Sequence, residues 1–445
     1  MIRVLLLTIL MLGPVAGAQI RLPRVPLLPA APGGLPGVGL PPLAQQPLGG
    51  LTSEVGRLEE ARKVRLRLLL RHHGDVLEAD PNGDPVMRSE VLAFSPTDAA
   101  RARARSAGFA VLRERSLGAL AATIVVLQAP RGMATARALT LLRRSDPGGT
   151  YDFNNVYTQS AAASESGAVA LPASAASEGA GAQATPLGLI DGGVGTAQPV
   201  FRGIAVHQHG CGGAVIPDVH GTEVASLMVG RSLRFGGAAA GASLYAADVY
   251  CGKPTGGAVD AIADALAWLA AQRVPVINVS LVGPPNALLG QVIGSMVGQG
   301  FLIVAAVGND GPAAPPLYPA AYPGVIGVTA VDARRRVLLE AERGPQVMFA
   351  APGADIPAAI LPDGFETVRG TSFAAPLVTG LLAQRLRSME RDAGGRAPRK
   401  EELARAAIDA LVRQAIHLGA PGRNGVFGYG LIGASLPSPR PASGK

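Results

Sequence analysis

Cysteine, aromatic side chains and long apolar runs are all scarce in this 445-residue chain. Two cysteines, Cys211 and Cys251, allow one disulfide at most. Aromatic residues make up 4% of the chain, against 58 glycines and 37 prolines, so many turns and tight backbone approaches are expected. Beyond the first eighteen residues no stretch stays apolar for about 20 residues without Pro, Gly or a charge, so no membrane span is expected there. The pattern H-E-x-x-H is missing, which counts against a zinc peptidase. G-x-S-x-G is missing too, which counts against an α/β-hydrolase esterase. The formal charge of +8 suggests an acidic partner, but its distribution does not. Residues 186–437 hold 19 Lys and Arg against 18 Asp and Glu, a net of +1. The excess lies elsewhere, in no patch interleaved with aromatics, so nucleic acid is not an expected partner.

What is present falls into blocks. The opening MIRVLLLTILMLGPVAGAQ has one Arg, a short apolar run and small residues up to Ala18, the pattern of a secretory signal peptide over 1–18. A Pro/Gly-rich leader is expected over 19–50, a folded unit over 51–158, a Ser/Ala-rich linker over 159–185, a larger domain over 186–437 and a tail over 438–445. The unit at 51–158 starts with a charged helix and then alternates strand-like and helix-like pieces as β-α-β-β-α-β, a ferredoxin-like α+β order. From 186 onward, short apolar runs (LGLID, SLYAADVY, VPVINVSLVG, GFLIVAAVGN, VIGVTAVD) alternate with helical segments. That pattern predicts an α/β fold with a mainly parallel, doubly wound sheet and helices on both faces. Ligand sites in such folds gather at the carboxyl ends of the strands.

Three reactive residues fall at such places. Asp191 ends the run LGLI, His220 opens the helix HGTEVASLMVG, and Ser372 stands where the turn RGTS becomes the helix SFAAPLVTGLLAQRL. Taken singly, these are a turn former, a cap-region histidine and an N-cap serine. Taken together they have the composition of a nucleophile, its base and the carboxylate that orients the base. Asn309, in AAVGNDG, supplies a side-chain amide for a developing oxyanion. Pro376 is expected near the first turn of its helix, where amide hydrogens lack helical partners.

In order along the chain, LIDGGV, HGTEVASLMVG, VINVSLVGP, VAAVGNDG, YPAAYPGVIGVTAVD, FAAPGADI and GTSFAAPLVTG resemble the subtilisin-like serine peptidases, the subtilases. The resemblance covers about 186–437, and the preceding unit resembles the propeptide of that family. It implies a doubly wound, subtilisin-like catalytic fold and a secreted endopeptidase, periplasmic or extracellular, made as a self-processing zymogen, with a catalytically silent or single-client binding or processing protein as the alternative. Protein or peptide substrates are implied, with the chain's own propeptide as intramolecular inhibitor and no membrane association after signal removal. Asp191, His220 and Ser372 would be the triad and Asn309 the oxyanion donor. An extended peptide would add as a strand beside Ser280, Leu281, Val282 and Gly283 and the stretch after Tyr250, with Gly308 on the pocket wall. Glu223 stands where many members carry a second His, and Leu377 where many carry His after the Pro.

Cys211 and Cys251, in an exported chain, are expected to form a disulfide, with two free thiols as the alternative. In the fold the resemblance implies, both flank the cleft. No cofactor or metal ligand set is assigned; structural calcium is possible but carries over onto no residues. Asn278-Val279-Ser280 matches a glycosylation acceptor but lies in an expected buried strand. His207-Gln208-His209 reads as a pair in a loop, not a metal site. Self-cleavage is expected between Tyr157 and Pro186.

Overall fold

The N-terminal portion of the computed structural model contains α1 (Leu48–His72), β1 (Leu77–Ala79), β2 (Pro85–Phe94), α2 (Asp98–Ser106), β3 (Ala110–Leu117), β4 (Ala122–Gln128), α3 (Thr135–Ser145) and β5 (Thr150–Gln159). The structure describes residues 48–159, 184–232, 236–392 and 399–434. The signal segment 1–18, the leader up to 47, residues 160–183 of the linker and the tail 438–445 lie outside the described residues. Helix α1 begins at Leu48, three residues inside the stretch read as leader.

Strands β5-β2-β4-β3 pair antiparallel in that order, and β1 forms a hairpin with β2. This is the β-α-β-β-α-β arrangement expected from the order of elements. Both faces of the sheet are buried, which explains why β2 and β4 carry continuous apolar runs. Val91, Ala93, Val125 and Leu127 pack on α2 and α3 with Leu139 and Leu142. Their alternates Leu92, Ile124 and Val126 share a core with Ile262 and Leu266, and with Leu288 and Val292, of the larger domain. A period of two thus sorts one strand's side chains into two cores.

The larger portion contains β6 (Leu187–Asp191), β7 (Val206–Gly210), α4 (Val219–Val229), β8 (Leu244–Asp248), β9 (Gly257–Ala258), α5 (Val259–Ala271), β10 (Val276–Val279), β11 (Leu281–Val282) and α6 (Ala287–Gly298). It continues with β12 (Leu302–Ala306), β13 (Ile326–Val331), β14 (Val347–Pro352), β15 (Ile356–Ala359), β16 (Phe365–Val368), α7 (Thr371–Asp392) and α8 (Lys400–Gln414). Seven strands form one parallel sheet, ordered β14-β13-β12-β10-β6-β8-β7. Strands β6, β12 and β13 are buried at every residue, as a sheet covered on both faces requires. Helices α4, α7 and α8 pack on one face through Val224, Met228, Val378, Leu382 and Leu411. Helices α5 and α6 cover the other. The chain leaves β6 toward β8 and then crosses to β10, so the sheet's switch point lies between β6 and β10, where Asp191 ends its strand.

One expectation fails here. His207 and His209 lie on edge strand β7, not in a loop. His207 stacks on Tyr245, while His209 stacks on Trp268 and contacts Asp264 at 3.1 Å.

The two portions are also joined by charge. The Arg113 guanidinium on β3 reaches Asp260 at the start of α5 (2.6 Å) and Glu90 on β2 (2.9 and 2.7 Å). Asn154 on β5 donates to Glu90 and Asp260 at 2.7 and 2.9 Å. Burial pushes the Asp260 carboxyl up, but Arg113 and Asn154 outweigh it and hold the group below the usual carboxylate range. Replacing Arg113 by Met in a Ser372→Ala background leaves a buried carboxylate short of its main partner. The expected loss is about 3 kcal/mol, the low end for a broken buried pair because part of Arg113 is hydrated. Urea unfolding of the two chains measures it, and a loss under about 0.5 kcal/mol, the size of an ordinary surface change, would show the network to be idle.

Candidate active site

Asp191 is the last residue of β6 and is fully buried, its Oδ1 accepting the N–H of Gly192 at 2.7 Å. The same oxygen lies 2.9 Å from His220 Nδ1. His220 is the second residue of α4, whose start is fixed by Asp218: its side chain accepts from the N–H of Gly221 at 2.9 Å. A glycine at 221 is required, because a Cβ there would stand 2.4 Å from the carbonyl oxygen of Gly192. That close approach sets α4 directly against the end of β6. Pairing with Asp191 directs the imidazole's other nitrogen, Nε2, to the opposite edge of the ring, where it is buried and makes no hydrogen bond. Phe373, next to Ser372, packs against the ring with centroids 5.4 Å apart.

Ser372 is buried and is the second residue of α7, one place inside the helix and not its cap. Pro376 is the sixth, beyond the first turn where it was expected. Its ring nitrogen cannot donate to the carbonyl of Ser372, four residues back. That carbonyl accepts the Ser280 hydroxyl instead, at 3.1 Å. Ser280 is in turn held by Asn278 Nδ2 at 2.8 Å, and Asn278 Oδ1 accepts from Thr379 at 3.1 Å. Proline inside the helix therefore ties the start of α7 to the end of β10. Asn278 is wholly buried in this chain of bonds, and the sequence suggested only a glycosylation match for it.

Asn309 follows β12 at the same edge of the sheet. Its Oδ1 accepts the N–H of Thr371 at 3.1 Å, which fixes which way the amide group faces. Thr371 Oγ1 accepts the N–H of Gly308 at 3.3 Å. Asp191, His220, Asn309 and the Ser372 turn thus converge on one edge of the sheet, each from a different element.

Beside them lies a strand that is not part of the main sheet. Leu281 and Val282 pair antiparallel with Gln159 and Thr158 of β5, and Gly257 and Ala258 pair with Tyr157 and Val156 on its other side. The last residues of β5 are therefore clamped between β9 and β11. Tyr157 is fully buried, and its hydroxyl donates to the carbonyl of Pro284 at 2.6 Å. Only glycine fits at 283, where a Cβ would fall 2.6 Å from the tyrosine ring. Gln159 Nε2 donates to Asp218 Oδ1 at 2.9 Å, beside His220.

Helix α1 contributes a further contact. Arg62 and Arg65 both pair with Asp310, next to Asn309, the first at 3.0 Å. Between α1 and the cleft lies a space of about 610 Å³ lined by Leu66, Leu69, Asp218, Tyr250, Val282 and Asn309.

Cys211 and Cys251 form a disulfide, which holds the loop before α4 to the turn after β8. Closing a loop with a sequence separation of 40 contributes about 4 kcal/mol by chain entropy. Among the described residues one group of three potential metal-ligating side chains stands together, Cys211, Asp248 and Cys251. Two of its donors are consumed by the disulfide.

Residues 217–430 match the model of the subtilase family. The larger domain belongs to that family. The chain is 32% identical over 216 residues to the minor extracellular protease Epr of Bacillus subtilis, covering 48% of this chain and 32% of that protein. It is 35% identical over 167 residues to subtilisin Savinase of Lederbergia lenta, covering 37% and 61%. The chain thus spans from about a third to three fifths of these relatives' lengths. A crystal structure of fervidolysin from Fervidobacterium pennivorans, described as a keratinolytic enzyme related to subtilisin, superposes with a TM-score of 0.63 at 18% identity. That match covers 80% of this chain and 61% of fervidolysin, and it establishes a shared fold.

Two opposed effects set the charge of His220. Burial pulls the imidazole down, but the Asp191 charge and hydrogen bond outweigh it and hold the group above its ordinary value of 6.5. Burial pushes Asp191 itself upward, with His220 pulling the other way. An NMR titration of His220 in a Ser372→Ala chain should therefore show a midpoint above 6.5. In Asp191→Asn the partner's charge is gone and burial remains, so the midpoint should drop below 6.5. Equal midpoints in the two chains would contradict this reading of the pair.

Proposed function

We propose that the protein is an exported serine endopeptidase, made as a zymogen that cuts itself. Ser372 is the nucleophile, and His220 takes its proton as the hydroxyl attacks a peptide carbonyl. Asp191 fixes the imidazole's tautomer and stabilises the imidazolium. Asn309 and the start of α7 receive the charge on the tetrahedral oxygen, an interaction worth about 10²–10³ in turnover for one such donor. Collapse expels the amine, which collects its proton from His220, and leaves an acyl group on Ser372 for water to remove. Substrates are protein or peptide segments that bind extended between β9 and β11. Export rests on the segment 1–18 and on the extracellular relative. No described helix is long and apolar enough to cross a membrane.

One observation carries the zymogen reading. The register Leu281↔Gln159 and Val282↔Thr158 runs β5 antiparallel to β11 toward Ser280, whose hydroxyl is bonded to the carbonyl of Ser372. The chain thus enters the cleft as a substrate would and heads for the nucleophile. That register favours a cut within the first two peptide bonds after Gln159, near the start of the interval expected from the sequence. Helix α1 lies over the Asn309 loop through Arg62 and Arg65, so the uncut N-terminal portion covers the cleft at a second point. Removing residues up to about 160 takes away most of the basic excess and leaves a nearly neutral enzyme.

Expressed in a protease-free host, the parent chain should yield a mature form starting at Ser160 or Ala161. The Ser372→Ala chain should stay joined after signal removal. N-terminal sequencing of both decides the matter. Identical cutting of the two, or cutting of neither, would overturn self-maturation.

A further inference from the structure

Behind the loop that carries Asn309 runs the short segment Glu340-Ala341-Glu342. Two backbone bonds bracket the loop: the N–H of Gly311 donates to the carbonyl of Glu340 at 2.8 Å, and the N–H of Glu342 donates to that of Gly308 at 3.1 Å. The side chains extend the bracing in two directions. Glu340 receives the Arg369 guanidinium through two bonds, at 2.7 and 2.9 Å, three residues ahead of Ser372. Glu342 is fully buried, and its Oε2 accepts the N–H of Leu317 at 3.2 Å. Its Oε1 has no hydrogen-bond partner and lies 2.7 Å from where a Cβ on Gly308 would stand. This buried carboxyl therefore packs on the backbone of the residue before Asn309.

We propose that Glu342 is a positioning residue of the active site, whose buried side chain packs against Gly308 and so holds the Asn309 amide where the oxyanion forms. The proposal rests on the peptidase reading above. A carboxylate with one donor in a dry site cannot stay in place when it ionises; it draws in water or swings away, and Gly308 moves with it. Burial pushes the Glu342 carboxyl up to about 9, with the Leu317 amide pulling down, Asp310 pushing up and Arg62 pulling down. Arg62 leaves with the N-terminal portion on maturation, so the mature enzyme holds this proton at least as firmly. Protonated Glu342 thus persists through neutral pH and is lost on the alkaline side. Its effect is confined to the step in which negative charge develops, so turnover moves and substrate binding does not.

The test compares mature wild type, Glu342→Gln and Glu342→Ala in hydrolysis of one peptide from pH 6 to 11. Active sites are counted by fluorophosphonate labelling, so misfolded molecules drop out. In wild type kcat should fall above about pH 9 while KM stays level. Glu342→Gln keeps the shape without the ionisation, so its kcat should stay within a few-fold at pH 7 and lose the alkaline fall. Glu342→Ala lets water in and frees the loop, so kcat should drop by about 10–100-fold at unchanged KM, the scale of a sub-ångström misplacement. An alkaline fall unchanged in Glu342→Gln, or a loss in Glu342→Ala that appears in KM, would overturn the proposal while leaving the peptidase reading intact. Absence of hydrolysis in the mature wild type would overturn both.

Discussion

A strand edge left open must be paired or hydrated, because its N–H and C=O groups have no partners in the sheet. In this chain Leu281 and Val282 present such an edge, and the end of β5 fills it. Much of the rest follows from that pairing. For β5 to reach the cleft, the sheet it belongs to has to lie on α5 and α6, which it does through Leu92, Ile124 and Val126. The other face of that sheet then needs its own cover, supplied by α2 and α3. Arg113, Glu90, Asn154 and Asp260 satisfy the polar groups trapped at the junction. The N-terminal portion is therefore built as a wedge with two apolar faces, which no sheet exposed to water would carry.

The same edge links the proposed substrate strand to the proposed nucleophile. Ser280 closes β11 at one end and bonds the Ser372 carbonyl, to which Pro376 cannot donate. On the far side, Thr371 is shared between Gly308 and Asn309. The groups that would attack, accept the proton and receive the charge are thus fixed by backbone geometry at strand ends and helix starts, where reorganisation costs least. Glu223, one turn after His220, adds a second buried acid nearby. Burial and a hydrogen bond with Glu366 push it up to about 9. These two glutamic acids, Glu223 and Glu342, are accordingly uncharged at neutral pH.

Much of this was legible in the residues. Fully buried parallel strands such as LIVAA carry an apolar run that no surface strand would, so β6, β10, β12 and β13 were plain. Asp191, His220 and Ser372 announce themselves because they interrupt such runs at element boundaries. Strand β7 did not, since VHQHG has no apolar alternation; it is an edge strand whose histidines are satisfied by stacking on Tyr245 and Trp268. Asn278 and Glu342 were equally silent. Their importance depends on partners about 20 to 100 residues away, and a single acid or amide in a chain carries no trace of the backbone it braces. The place of Pro376 was silent for a related reason: a proline in the second turn cannot donate to the Ser372 carbonyl, and the hydroxyl that bonds this carbonyl comes from Ser280, 92 residues before Ser372.

The central claim is that Ser372 is an activated nucleophile at the end of a cleft that the chain's own strand occupies. The most direct measurement is labelling with a fluorophosphonate, followed by peptide mapping, on the matured protein and on a joined chain in which Ser160→Pro and Ala161→Pro block the cut while Asn309 is kept. The account predicts one label per mature molecule, on Ser372, with the joined form labelling far more slowly because β5 lies across the site. Labelling at another serine, or none on a folded mature protein, would contradict it.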